Sequence, residues 1–326
     1  MGGGLIEPDS LLSIRALTVR YGRRLGVWGV DLTVRPGEVL GLVGESGAGK
    51  STVGRAIVRL LPDPGRVEAG AIRFKGRDLL ALGEAAMREL RGAEIALIPQ
   101  DPLSALNPTF RIGVQATDAL RLHRGLSRPA AEAAMARLLV RMGIADSVGL
   151  LRRYPHELSG GMRQRVLIGM AFSCEPSLVI ADEPTTALDV TTQAQILQLL
   201  EGLRAERGVA TLFVTHDLGV VAHVAHTVAL LYAGCLVEVA PTPALFAAPA
   251  HPYTQALLAQ VPRADRTADI AETREGLMPT LTVPPGFCPF RERCPKRMAV
   301  CDELMPALRP VGPDHRVACH LYEARP

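Results

Sequence analysis

The sequence of 326 residues lacks a strong charge of either sign: its formal net charge is +3, with 21% charged residues. Composition therefore gives no electrostatic case for nucleic acid as a partner, and only a local basic patch would stay compatible with one. A secretory signal is missing too. The opening MGGGLIEPDS has neither a basic start nor an apolar stretch, and MGGGLI lacks the hydroxyl residue that favours myristoylation, so the chain is expected to stay in the cytoplasm. Leu218 to Val237 contains no acidic or basic residue and is long enough to raise the question of a membrane span. Gly219, His223, His226, Thr227 and Gly234 argue instead for a short helix and two strands, TVALLYAG and CLVEVA, turning at Gly234. Internal repeats and long heptad stretches are also absent. What remains is a chain of a size to hold one large domain plus an extension, or two modest domains.

The pattern changes along the chain. Residues 11 to 43 alternate short apolar runs with Gly and Pro, which predicts strands meeting at turns. From about Asp78 to Gly143 the spacing becomes helical, broken by the extended IALIPQDPLSALNP, with an amphipathic helix over Arg128 to Met142. Helix Arg163 to Cys174, strand Leu178 to Ala181, helix Thr192 to Arg207 and strand Ala210 to Val214 then alternate, which favours a parallel sheet covered on both faces. Beyond Pro241 the chain is Pro-rich and weakly periodic, and Arg263 to Thr282 reads as a linker.

Three motifs carry chemistry. GESGAGKS, from Gly44 through Glu45, Ser46, Gly47, Ala48, Gly49 and Lys50 to Ser51, follows the apolar strand VLGLV and precedes a helix that opens at Thr52. Its glycines let backbone N–H groups cradle anionic oxygens at a helix N-terminus. Lys50 adds a positive charge for the outer phosphates, and the Ser51 hydroxyl suits Mg2+. In LVIADE a buried strand delivers Asp182 and Glu183 at its C-terminal end, where parallel sheets bind ligands. Asp182 suits Mg2+ coordination, and Glu183 suits orienting or deprotonating an attacking water. LSGGMRQR places Ser159, Gly160 and Gly161 immediately before a helix, as a second surface able to offer a hydroxyl, N–H groups and a helix dipole to an anion. Taken alone, that segment reads equally well as a helix cap.

In this order, the three motifs resemble those of the ATP-binding subunits of ABC transporters, over roughly residues 12 to 260. The resemblance implies an α/β fold of the P-loop NTPase type: a parallel-sheet core, an antiparallel β subdomain and an inserted helical subdomain, followed by a small Cys-rich extension. The expected boundaries are 1–240 for the ATPase domain, with the helical subdomain at about 101–165, and 241–326 for the extension. It further implies that Tyr21 stacks on adenine, that Gln100 contacts the Mg2+ and the attacking water, that Asp189 communicates across a dimer, and that His216 touches the γ-phosphate. In the family, two ATPase domains face each other head to tail, so Ser159, Gly160 and Gly161 are expected to serve the nucleotide of the partner. The implied partners are two transmembrane permease subunits, a second homologous ATPase in a heterodimer, and indirectly an extracytoplasmic substrate-binding protein, with no nucleic acid. The implied place is peripheral, on the cytoplasmic face of the cell membrane.

QDPLSALNPTFRIGVQ, APAHPYTQALLAQVP and FCPFRERCPKRMAVC with HRVACHLYE resemble the dipeptide and oligopeptide importer ATPases, a group that includes nickel-import relatives. Peptide cargo is the reading this favours; nickel or another small solute, a soluble ABC ATPase and a catalytically dead subunit are the alternatives. Six cysteines are present: Cys174 and Cys235 sit singly in apolar contexts and read as buried hydrophobes, whereas Cys288, Cys294, Cys301 and Cys319 crowd the tail. Their spacing leaves an iron-sulfur cluster, zinc and free thiols open. Similarity to importer ATPases in which this tail ligates a [4Fe-4S] cluster makes that cluster the expectation, as a staple for a tail short of apolar residues. His315 and His320 flank Cys319 as substitute ligands or as solvated side chains.

Overall fold

A computed structural model describes residues 10–186, 189–260 and 278–323, apart from the side chain of Val190. The expected linker at 263–282 therefore lies outside the described residues except for its last five positions. Along the chain, strands β1 (Leu12–Tyr21), β2 (Arg24–Val34) and β3 (Val39–Val43) lead into helix α1 (Lys50–Ile57). Next come β4 (Gly65–Phe74), β5 (Arg77–Asp78), α2 (Glu84–Leu90), β6 (Ile95–Ile98) and α3 (Pro102–Ala105). A helical stretch follows: α4 (Ile112–Arg124), α5 (Arg128–Arg141), α6 (Ser147–Leu151) and α7 (Gly160–Phe172). Alternation then sets in with β7 (Leu178–Asp182), α8 (Val190–Arg207), β8 (Ala210–Thr215), α9 (Leu218–Val224), β9 (Thr227–Tyr232) and β10 (Cys235–Pro241). The chain closes through α10 (Thr242–Ala247), α11 (Pro252–Ala259), α12 (Val300–Glu303), β11 (Arg309–Gly312) and β12 (His315–Val317).

These elements divide into two compact units, Met1–Leu80 with Phe213–Pro326, and Ala81–Leu212. In the first, an antiparallel sheet in the order β2-β1-β4-β5 includes β4, a strand absent from the sequence reading. The same unit holds the strand run β11-β12-β10-β9-β3, in which β3 and β9 pair in parallel, Leu40 against Thr227 through Val43 against Leu230. Strand β3 is buried along its whole length, which is why VLGLV reads as an unbroken apolar run. The uncharged stretch from Leu218 folds as α9, β9 and the start of β10, and Ala233 and Gly234 both take positive φ in the two-residue turn that joins the strands. Among the described residues no helix is long and apolar enough to cross a membrane.

The C-terminal extension shares its core with these strands instead of forming one of its own. Leu281, Cys288, Phe290 and Cys301 are buried in one cluster with Tyr232, Val237, Leu245 and Tyr253. Strand β12 adds to β10, with Glu238 opposite Val317.

In the second unit β6 and β7 pair in parallel, Ile95 against Leu178 through Ile98 against Ala181. Helices α4 and α8 end at Gly125 and Gly208 in left-handed conformation, the usual way a helix satisfies its last carbonyls. Helix α7 starts three residues earlier than its hydrophobic spacing suggests, because Ser159 caps it. Gly169 gives it close approach to Leu139 of α5.

Candidate functional site

The phosphate-loop residues belong to the first unit. Gly44 leaves β3 so close to β9 that a Cβ there would stand 2.3 Å from the Leu231 carbonyl oxygen. Gly49, at φ 102°, caps α1 and would bring a Cβ within 2.5 Å of the Gly26 carbonyl oxygen. Neither position tolerates a side chain, so the loop keeps its curve for steric as well as conformational reasons. Ala48 accepts a bond from Gly234 N–H at 2.8 Å, which fastens the loop to the β9–β10 turn. Lys50 is buried, and its Nζ donates to the carbonyl oxygens of Gly44 at 2.8 Å and Glu45 at 3.0 Å. Ser46 and Gly47 form the exposed tip, while Ser51 and Thr52 occupy the first turn of α1.

Tyr21 ends β1 half-buried, with its hydroxyl 3.3 Å from Thr52 Oγ1. Its ring fills space left by Gly26 and Gly65, where a Cβ would come within 2.8 and 2.5 Å of ring carbons. His216 follows β8 and is exposed; its neighbour Asp217 caps α9 by accepting from Gly219 N–H at 2.7 Å.

The second unit gathers the remaining candidates. Strand β7 ends at Asp182, 2% exposed, and Glu183 follows with φ 48°. A left-handed glutamate is strained, and strain of this kind persists where the surroundings fix the residue. The surroundings here are Gln100, whose Nε2 donates to Glu183 Oε2 at 3.2 Å, and Thr186, whose hydroxyl donates to the same oxygen at 2.9 Å. Thr186 was not among the sequence candidates; only its closeness to the carboxylate in sequence could have flagged it.

Ser159 Oγ accepts from Met162 N–H at 3.3 Å, so the capping reading of LSGG describes this chain by itself. Capping leaves the Ser159 hydroxyl hydrogen to donate elsewhere. Gly160 faces open space, whereas a Cβ at Gly161 would meet Thr192 of α8 at 3.1 Å. Asp189 caps α8, and the Thr192 N–H and hydroxyl bonds hold its carboxyl below the usual carboxylate range. The structure thus brings Gln100, Glu183 and Thr186 together, and places the glycines of LSGG beside the helix that Asp189 caps.

Two further residues touch the phosphate loop and were passed over in the sequence. Tyr253 Oη accepts from Glu45 N–H at 2.9 Å, and Arg293 Nη1 donates to Glu45 Oε2 at 2.9 Å. Both lie in the stretches APAHPYTQALLAQVP and FCPFRERCPKRMAVC, whose resemblance was noted without a chemistry for these positions.

The expectation of a metal centre in the tail is corrected. Among the described residues no group of three or more His, Cys, Asp or Glu side chains is arranged to hold a metal ion. Cys288, Cys294, Cys301 and Cys319 line a cavity of about 10 Å³ together with His251 and His320. Burial pushes the Cys288 thiol up to about 12 and raises those of Cys294 and Cys319. Neither histidine is a solvated side chain or a substitute ligand: His315 Nε2 bonds Glu238 Oε1 at 2.7 Å, and both ring nitrogens of His320 are engaged, with Glu323 and the Leu304 carbonyl. The tail is held by its share of the common core. Cys174 and Cys235 are buried, and burial pushes the Cys235 thiol up to about 12.

Comparison with known proteins accounts for this arrangement. The ABC transporter family matches residues 27–186, and the oligopeptide/dipeptide transporter C-terminal region matches residues 237–301. A probable peptide ABC transporter ATP-binding protein of Sinorhizobium fredii is 48% identical over 322 residues, covering 96% of this chain and 95% of that one. The dipeptide transport ATP-binding protein of Bacillus subtilis is 44% identical, covering 97% and 96%. Among solved structures, part of an ABC transporter complex of Clostridium perfringens superposes with a TM-score of 0.63 at 25% identity, covering 74% of this chain and 92% of that one. A dimeric ATP-binding cassette in a post-hydrolysis state with ADP and Pi gives 0.64 at 25% identity, covering 71% and 98%. The phosphate loop, the strained glutamate after a buried strand, the capped LSGG helix and these relatives together place the chain in the ABC transporter family, as an ATPase of the group that carries the oligopeptide/dipeptide transporter C-terminal region.

Proposed function

We propose that this chain energises a membrane importer of dipeptides or oligopeptides, as one of two ATPase subunits that face each other on two permease subunits. Its relatives among peptide and dipeptide transport proteins support the cargo class. The observation that carries the hydrolytic chemistry is the Gln100–Glu183–Thr186 group. Two donors converge on one carboxylate oxygen of a residue whose backbone is itself constrained, so the carboxylate is oriented before any substrate arrives. In this reading Glu183 polarises the attacking water, and His216 contacts the γ-phosphate.

Gly44 to Thr52 cradle the phosphates, Lys50 exchanges its loop carbonyls for phosphate oxygens, and Tyr21 stacks on the adenine. The Ser51 hydroxyl, the Gln100 amide oxygen and the Asp182 carboxylate are hard oxygen donors of the kind Mg2+ takes. Mg2+ held by donors of this kind would offset charge on the phosphoryl oxygens. Ser159, Gly160 and Gly161 serve the nucleotide of the facing subunit, and Asp189 carries its state across the pair. ATP then closes the pair through its higher affinity for the closed state, and hydrolysis reopens it.

The test is Glu183→Gln in the complex purified with its membrane subunits. Retained ATP binding with turnover lowered on the order of 10²–10⁴-fold is expected for loss of a general base. Wild-type turnover would remove Glu183 from that role. ATPase stimulation by the binding protein loaded with dipeptide, longer peptide or nickel identifies the cargo, and a response to nickel alone transfers the chain to metal import.

A further inference from the structure

Glu45 is a carboxylate inside a loop built to receive the most anionic part of ATP. Left bare, it would repel the phosphates that Lys50 and the helix N-terminus attract. It is not bare. Its side chain, 29% exposed, pairs with Arg293, 13% exposed, whose guanidinium reaches it from 248 residues further along the chain.

Arg293 is itself held in place. Its guanidinium carbon lies 5.7 Å from the Tyr232 ring centroid and 5.8 Å from that of Phe290. The rings of Tyr232, Tyr253 and Phe290 pack edge-on or tilted against one another at 4.8 to 5.4 Å. Arg293 Nε is buried with no hydrogen-bond partner among the described residues. A buried, unmatched donor is unfavourable in itself, so the rest of the guanidinium must recover that loss through Glu45 and the aromatic faces.

Glu45 is gripped at three points. Tyr253 accepts from its N–H, Arg293 binds its carboxylate, and its carbonyl accepts from Lys50 Nζ. Two of the three grips come from residues beyond β10, outside the stretch that matches the ABC transporter family. Residues 278–282 lie along the same unit: Leu281 accepts from Leu25 N–H at 2.7 Å, and Thr282 accepts from Arg20 Nη1 at 2.9 Å.

We propose that Arg293 is a positioning residue for the phosphate loop: it neutralises Glu45 and, with Tyr253, holds the loop in the shape that accepts ATP. The C-terminal extension is thereby a working part of the nucleotide site, setting its affinity through one ion pair. This rests on the phosphate-loop reading of Gly44 to Ser51.

The experiment measures KM for ATP and kcat of the assembled complex for Arg293→Ala, Arg293→Lys, Glu45→Gln and the double variant Arg293→Ala/Glu45→Gln, with Lys50→Ala as a control. Arg293→Ala is expected to raise KM about fivefold, the size of a partly screened ion pair, with kcat within about twofold of wild type. Arg293→Lys keeps the charge and loses less. Removing the carboxylate as well should restore most of the affinity, because the repulsion goes with it.

An unchanged KM in Arg293→Ala overturns the proposal, as does a double variant no better than the single one, since packing alone would then explain the loss. Should Arg293→Ala not assemble, Arg293→Lys against Glu45→Gln decides the same question: equal KM values in those two and wild type overturn it. Lys50→Ala separates the two levels. Full ATP binding by that control defeats the phosphate-loop reading itself, whereas its loss with an unaffected Arg293→Ala defeats the ion-pair role alone.

Discussion

Glu238 is fully buried in β10 and accepts four hydrogen bonds, from Ala250 N–H and His251 N–H at 2.8 Å each, from the Thr254 hydroxyl, and from His315 Nε2 at 2.7 Å. These donors come from the start of α11 and from β12, so one carboxylate ties two parts of the C-terminal extension to the strand. Replacing it with Ala removes the acceptor that the described residues give two buried backbone amides. The Thr254 hydroxyl can turn to another acceptor and the buried His315 ring can change tautomer, so most of the cost falls on the amides. At about 1–3 kcal/mol for each of the two orphaned donors, offset by no longer burying a carboxylate, Glu238→Ala should lose about 2–4 kcal/mol. Glu238→Gln keeps the shape and one accepting oxygen but points an NH2 at a donor, and should lose about 1–3 kcal/mol. Urea unfolding gives the free-energy change, and hydrogen exchange by mass spectrometry locates it, with protection expected to fall first in 250–259 and 309–317. A loss under about 1 kcal/mol for Glu238→Ala, with exchange in those segments unchanged, would show that the carboxylate does not anchor the extension.

Two other perturbations probe different links. Gly44→Ala should shift the phosphate loop, since its Cβ would meet backbone and not a movable side chain, and ATP binding by the assembled complex should weaken at least about tenfold; near-native binding would mean that the loop has room the structure does not show. His251 is held neutral, with burial lowering its pKa to about 3, while its Nδ1 accepts from Tyr253 N–H. Because the folded value lies below the unfolded one, the stability it contributes is complete above about pH 6.5 and falls as the pH drops toward 3, by on the order of 1 kcal/mol between pH 7 and 5.5. His251→Asn keeps a capping acceptor without titrating, so the two unfolding free energies should converge over that range; parallel pH profiles would remove His251 from the acid sensitivity.

Elements whose causes are contiguous in sequence were legible. The β9–β10 hairpin follows from its turn, and helix α5 from its spacing. Misplaced helix starts have local causes that periodicity does not register: α7 begins at Gly160 because Ser159 caps it. The phosphate loop needed only the order strand, glycines, lysine and helix.

Three features were not legible, for one shared reason. Glu238 looks like an ordinary polar position of a strand, and nothing near it shows four donors arriving from 12 to 77 residues away. Arg293 stands among the tail cysteines, which drew attention to thiol spacing and away from the charge beside it. Similarity to importer ATPases suggested a cluster, yet how the thiols are arranged is a property of packing, and among the described residues no group is set to hold a metal ion.

The sequence by itself determined the family of this ATPase and the local shape of its motifs, because loop curvature, strand burial and helix capping depend on short runs of residues whose geometry is fixed by glycine, apolar runs and helix ends. Only the tertiary structure decided what the C-terminal extension does. Whether a charge meets a partner, or a thiol a cavity, depends on which distant surfaces share a core, and here that core sets Arg293 against the glutamate of the phosphate loop.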